Sequence, residues 1–109
     1  MMCGKSTLRN IKITMEQFFE DGEQDCVQME VTALLTREAD KLHAVIEGRE
    51  MIFEIGKTHK YIYPVNGGNM PFYITTDELE INDNEIYIEY EISDLGGNFI
   101  SENILKMEW

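Results

Sequence analysis

Apolar and polar residues alternate with a period of two along most of this chain, and that pattern constrains its fold more than any other feature. Successive side chains of an extended strand point to opposite faces, so alternation builds a sheet with one buried and one wetted side. Ile11, Ile13 and Met15 alternate with Lys12, Thr14 and Glu16, and Val27, Met29 and Val31 alternate with Gln28, Glu30 and Thr32. Between these runs Glu20-Asp21-Gly22-Glu23 reads as a turn, with Gly22 supplying the positive φ that other residues resist. The two runs therefore make a first hairpin. Met51, Phe53 and Ile55 alternate inward after a Glu47-Gly48 turn, and Gly56-Lys57-Thr58 turns the chain again. Tyr61-Ile62-Tyr63 is a strand ended by Pro64, which cannot donate to a ladder. Asn66-Gly67-Gly68-Asn69 is a loop, and Met70 to Thr75 follows as a strand.

The sharpest pairing comes next. Leu79 and Ile81 alternate with Glu78 and Glu80, while Ile86, Ile88, Tyr90 and Ile92 alternate with Tyr87, Glu89 and Glu91. A two-residue loop at Asp83-Asn84 pairs Ile81 with Ile86 and Leu79 with Ile88 on one face. A slip of one residue would turn every apolar side chain to the other side. Gly96-Gly97-Asn98 then turns the chain into a last strand, Phe99 to Met107.

One stretch admits two readings. Leu35, Ala39, Leu42 and Ile46 lie at helical spacing among good helix formers, which allows a short helix within 32–46. Alternatively, Glu38-Ala39-Asp40 turns between strands Leu34–Arg37 and Lys41–Ile46, and we take this hairpin as the working reading. The expected fold is mainly β: an antiparallel barrel or half-open barrel of eight or nine short strands. One domain over 1–109 is expected, with 1–10 as a mobile N-terminus.

Composition supports a packed core and narrows the function. Leu, Ile, Val and Phe make up 29 of 109 residues, above the roughly one-fifth below which chains stay disordered. No apolar run approaches the roughly 18 residues of a membrane helix, and no secretory signal opens the chain. The two cysteines, Cys3 and Cys26, are too few for a disulfide-built secreted domain. The cytoplasm is the expected compartment. A formal charge of −12 argues against direct contact with nucleic acid or an anionic membrane.

Motifs for chemistry are absent. Gly4-Lys5-Ser6 resembles the end of a phosphate-binding loop, but the glycine that must precede Gly4 by five residues would fall before Met1, and the match is read as accidental. His43 and His59 are the only histidines, and neither has a His or Cys at ligand spacing. His59, between Lys57 and Lys60, reads as part of a solvated turn. No Ser or Cys sits in a nucleophile elbow, and no carboxylate pair stands out as acid and base. The chain is read as non-catalytic, with no metal and no cofactor.

Charge placement is more telling. Between Tyr61 and Leu105 there are nine acidic residues and no Lys or Arg. The hairpin register sets Glu78 opposite Glu89 on the outer face, with Glu80 and Glu91 nearby. Like charges directly opposite destabilise a sheet by about 0.2–1 kcal/mol, so stability alone does not account for them. Solubility and protection of strand edges do; so does docking on a basic protein surface, such as that of a nucleic-acid-handling enzyme blocked by a mimic. In that second reading Glu78, Glu80, Glu85, Glu89 and Glu91 form the contact face, and Tyr87 is its aromatic anchor. Tyr90 falls in core phase.

The second half also resembles a known family. Phe53-x-x-Gly56-Lys57-x-His59-x-x-x-Tyr63, then Gly68, Phe72, Thr75-Thr76 and Leu79-Glu80-Ile81, are similar to the YwiB-like bacterial family. So are Ile86-x-Ile88-Glu89-Tyr90-Glu91 and Ile100-Ser101-x-Asn103-x-Leu105. The resemblance implies a calycin-like barrel, related in shape to lipocalins, and brings no catalytic residue with it. Family members are longer, and a hairpin's worth of chain is missing between about Thr32 and Met51. A barrel shortened in this way is expected to fill its interior with its own side chains. The fold analogy alone supplies a further reading, a small-molecule-binding calycin-like barrel.

Overall fold

The alternation resolves into eight β-strands, with no helix among the described residues. The structure is a computed structural model and describes residues 5–38, 40–65 and 67–109. The strands are β1 (Lys5–Phe19), β2 (Gln24–Glu38), β3 (Lys41–Ile46), β4 (Arg49–Glu54), β5 (Thr58–Val65), β6 (Gly68–Ile81), β7 (Glu85–Ser93) and β8 (Phe99–Glu108). All belong to one antiparallel sheet in the order β4-β3-β2-β1-β8-β7-β6-β5. Only the β1–β8 pairing, from Lys12 opposite Glu108 to Phe19 opposite Ser101, joins strands distant in sequence.

The two edge strands, β4 and β5, are consecutive in the chain, so the turn between them brings the sheet back on itself. The seam is held at that turn. Gly56 N–H donates to Thr76 O over 2.9 Å, and Thr76 N–H donates to Lys57 O over 3.3 Å. β6 reaches this position because its register shifts by one residue between Thr76 and Glu78, a bulge that bends the strand toward the turn. The result is a nearly closed barrel.

The core follows the period of two. Ile11 and Ile13, Ala33 and Leu35, Leu42 and Ala44, Ile74, Ile86 and Ile88, and Leu105 and Met107 all point inward and are buried. The Ile, Leu and Met side chains among them each contribute about 1.5–3 kcal/mol on leaving water. Phe53 and Tyr90 meet edge to face, with centroids 5.0 Å apart and planes at 61°, the arrangement that aromatic quadrupoles favour.

The expected hairpin of 79–92 forms in the expected register, with Ile81 opposite Ile86 and Leu79 opposite Ile88. The stretch 32–46 is strand, turn and strand, with Glu38 opposite Lys41; the helical alternative is excluded, although Ala39 itself lies outside the described residues. Several strands are longer than expected. β2 joins two expected strands into 15 residues, and β6 joins two more into 14. Of the N-terminal 1–10, residues 1–4, with Cys3, lie outside the described residues, and from Lys5 the chain is already β1. His59 is not in a turn. It sits in β5 opposite Ile74, and its Nε2 lies 2.9 Å from Glu54 Oε1 across the seam.

Candidate ligand cavity and acidic face

The barrel is packed at one end and hollow at the other. At the end with the β2–β3, β4–β5 and β6–β7 turns, Leu35, Leu42, Phe53 and Ile86 fill the interior and are fully buried. At the opposite end the inward side chains stop short of each other and leave a cavity of about 390 Å3. Pockets that hold small organic molecules run from about 300 to 1,000 Å3. The interior that the sequence led us to expect filled is therefore partly empty.

Its lining is apolar and adaptable. Four of the seven methionines, Met15, Met29, Met51 and Met70, face it. Methionine is unbranched and polarizable, so it shapes itself to varied apolar partners. Tyr61, Tyr63 and Phe72 form an aromatic wall on β5 and β6, and Ile92 and Leu105 continue the lining onto β7 and β8.

Arg49 is the only charged residue in this lining. It opens β4, directly after the Glu47-Gly48 turn, where both residues take positive φ, 51° and 78°. The Arg49 guanidinium lies over the Tyr63 ring, 5.4 Å from its centroid, and 3.5 Å from Glu47 Oε1. Glu47 is well exposed, and such surface pairs are weak. Burial pushes the Tyr61 hydroxyl above its ordinary pKa, while the charge of Arg49 and its hydrogen bond to Tyr61 oppose that rise.

A second polar spot is buried next to the lining, of which Asn103 itself is not part. Asn103 is 1% exposed and is flanked in register by Gln17 on β1 and Tyr90 on β7, both of which face the cavity. Its Oδ1 accepts from Ser101 Oγ at 3.4 Å, and its Nδ2 has no partner. Flipping the amide would only exchange which end is unpaired.

The sequence-derived face is assembled on the outside. Glu78 and Glu80 on β6 and Glu85, Tyr87, Glu89 and Glu91 on β7 all point away from the core. Glu78 stands opposite Glu89 as expected, and Glu80 opposite Tyr87. Tyr87 is not a free anchor: its hydroxyl donates to Glu89 Oε2 over 2.7 Å, and that bond raises its pKa to about 12. A hydrogen bond to Glu89, and the charge of Glu89, raise the Glu78 carboxyl above its ordinary value. β8 adds Glu102 opposite Glu91, which only the long-range pairing of the sheet could reveal. β8 also brings in a cation, since Lys106 lies opposite Tyr87 and its Nζ is 3.6 Å from Glu85. The face is thus acidic but not free of positive charge. Among the described residues, no group of three or more His, Cys, Asp or Glu is placed to hold a metal ion, and no helix is long and apolar enough to cross a membrane.

An eight-stranded antiparallel sheet that closes on its own core, hollow at one end, defines a small β-barrel domain. Residues 34–107 match a family described as a domain of unknown function (DUF1934), and the chain belongs to that family. The fold is similar to the crystal structure of the ywiB protein from Bacillus subtilis, with a TM-score of 0.66, 12% identity, and coverage of 94% of this chain and 92% of that one. The YwiB-like resemblance read from the sequence is thereby confirmed at the level of family and fold. No curated protein matches the chain.

Proposed function

We propose that this protein is a non-catalytic binding domain that takes a small, largely apolar molecule into the hollow end of its barrel. The observation that carries this reading is the cavity of about 390 Å3 bounded by apolar and aromatic side chains. An empty apolar space forfeits dispersion contacts that a ligand would restore. The test is a fluorescence titration with the neutral dye N-phenyl-1-naphthylamine. Saturable, blue-shifted emission at one site per chain is expected, and Ile92→Trp, which fills the cavity, should weaken it tenfold or more. Absence of binding by the native chain would end this reading.

A second reading is supported by the acidic face. Glu78 against Glu89 and Glu91 against Glu102 place like charges side by side, and a basic protein surface would relieve that repulsion. In this reading the partner is a nucleic-acid-handling protein in the cytoplasm, blocked by a phosphate-mimicking surface of the kind phage anti-defence inhibitors present. Reversing Glu80, Glu89 and Glu91 to Lys should then abolish capture of the partner from host extract while the far-ultraviolet circular dichroism stays unchanged. Capture that survives the reversal refutes it.

A further inference from the structure

The cavity is not uniformly apolar, and its polar groups bear on what it would hold. Arg49 brings the one charge of the lining to the β4–β5 side, where its guanidinium lies over the Tyr63 ring. Its only carboxylate partner among the described residues, Glu47, is exposed and 3.5 Å away. A guanidinium has five N–H donors in a planar fork, so this contact leaves donors for a second anion. On β8, Ser101 lines the cavity, and its hydroxyl donates to the buried Asn103 amide, which is not itself part of the lining. Met15, Met51, Phe72 and Ile92 belong to the apolar part of the lining.

We infer that the ligand is an apolar organic anion: a chain or ring whose acidic head pairs with Arg49 and whose body lies among the methionines. This rests on the ligand-binding reading above and adds the chemistry of the head group. The exposed carboxylates Glu20, Asp21, Glu23 and Asp25 occupy a separate outer depression that shares only Phe19 and Ile100 with the cavity. They face water, where charge is screened within about 8 Å at physiological salt, whereas Arg49 acts inside the lining.

The test displaces N-phenyl-1-naphthylamine from the native chain with three ten-carbon competitors: decanoate, decanol and decylammonium. Hydrogen bonds to a charged group contribute about 1.5–3 kcal/mol, or roughly ten- to a hundredfold in affinity. Decanoate should therefore displace the dye at concentrations at least tenfold lower than decanol. Arg49→Met should erase that advantage, and Arg49→Lys should restore part of it, each competitor being scored against the dye affinity of the same variant. Should Arg49→Met fail to fold, the competitor series on the native chain still decides. Equal potency of the three, or preference for decylammonium, overturns the anionic head and leaves the cavity reading standing. Failure of the dye to bind at all removes the cavity reading, and this inference with it.

Discussion

Two carboxylates that share one place in a sheet illustrate how single residues carry the chemistry of this surface. Glu78 holds its proton more tightly in the folded chain than its ordinary value of 4.5 would give, first because of its hydrogen bond to Glu89 and then because of that neighbour's charge. A group whose pKa rises on folding favours the folded state at low pH. The penalty from Glu78 is therefore present near neutrality and fades as the pH falls through its raised value. Glu78→Gln keeps the shape and removes the charge, so it should raise the melting temperature at neutral pH. At about pH 4, where the native residue is largely protonated, the gain should disappear. Thermal unfolding followed by circular dichroism at both pH values checks this, and an equal gain at both would mean that the pair does not repel. Glu54 works in the opposite sense: His59 and then Lys57 lower its carboxyl, so its contribution across the seam is present at neutral pH and lost on acidification.

At the scale of elements, legibility in the sequence depended on how far apart in the chain the partners lie. The β6–β7 register could be read because Leu79, Ile81, Ile86 and Ile88 carry the period of two on both sides of a two-residue loop. The stretch 32–46 was ambiguous because Leu35, Leu42 and Ile46 satisfy both periods, and only the pairing of Leu35 with Ala44 and of Leu42 with Phe53 decides. The bulge after Thr76 serves a tertiary contact with the β4–β5 turn, so no local pattern announces it. The acidic face was legible where two neighbouring strands supply it; Glu102 and Lys106 arrive from β8. The cavity had no signal at all, since it is volume left over when eight strands converge. The β3–β4 turn carries its own prediction. With Glu47 and Gly48 both at positive φ and Ile46 opposite Arg49, it has the backbone of a type I′ hairpin, which favours Asn-Gly. Glu47→Asn should stabilise the fold, because asparagine tolerates the left-handed region that glutamate resists, seen as a higher urea midpoint with an unchanged slope. A lower midpoint would show that the Glu47–Arg49 pair outweighs the backbone strain.

For the molecule as a whole, the asymmetry between a packed end and a hollow end implies uneven stability. Protein interiors open locally where apolar contacts are few, and here those contacts are concentrated around Leu35, Leu42, Phe53, Ile86 and Met107. The cavity end is different. There β1 and β2 run on toward the Asp21-Gly22 turn, and from Gln24 to Thr32 β2 pairs with β1 alone, because β3 ends opposite Ala33. Backbone amides of β3, β4 and β7 near the packed end should therefore exchange with deuterium only through global unfolding. Amides of Met15 to Phe19 and Asp25 to Val31 should exchange orders of magnitude faster. A ligand that binds only the folded barrel stabilises it by about 2.7 kcal/mol at a hundredfold excess over its Kd. If it sits in the cavity, the added protection should be greatest in the fast-exchanging amides, because bridging Met15, Met29 and Ile92 suppresses the local openings that the empty end permits. Uniform exchange along the barrel, or slowing confined to the outer strands of the acidic face, would instead place the binding energy on the outside of the sheet.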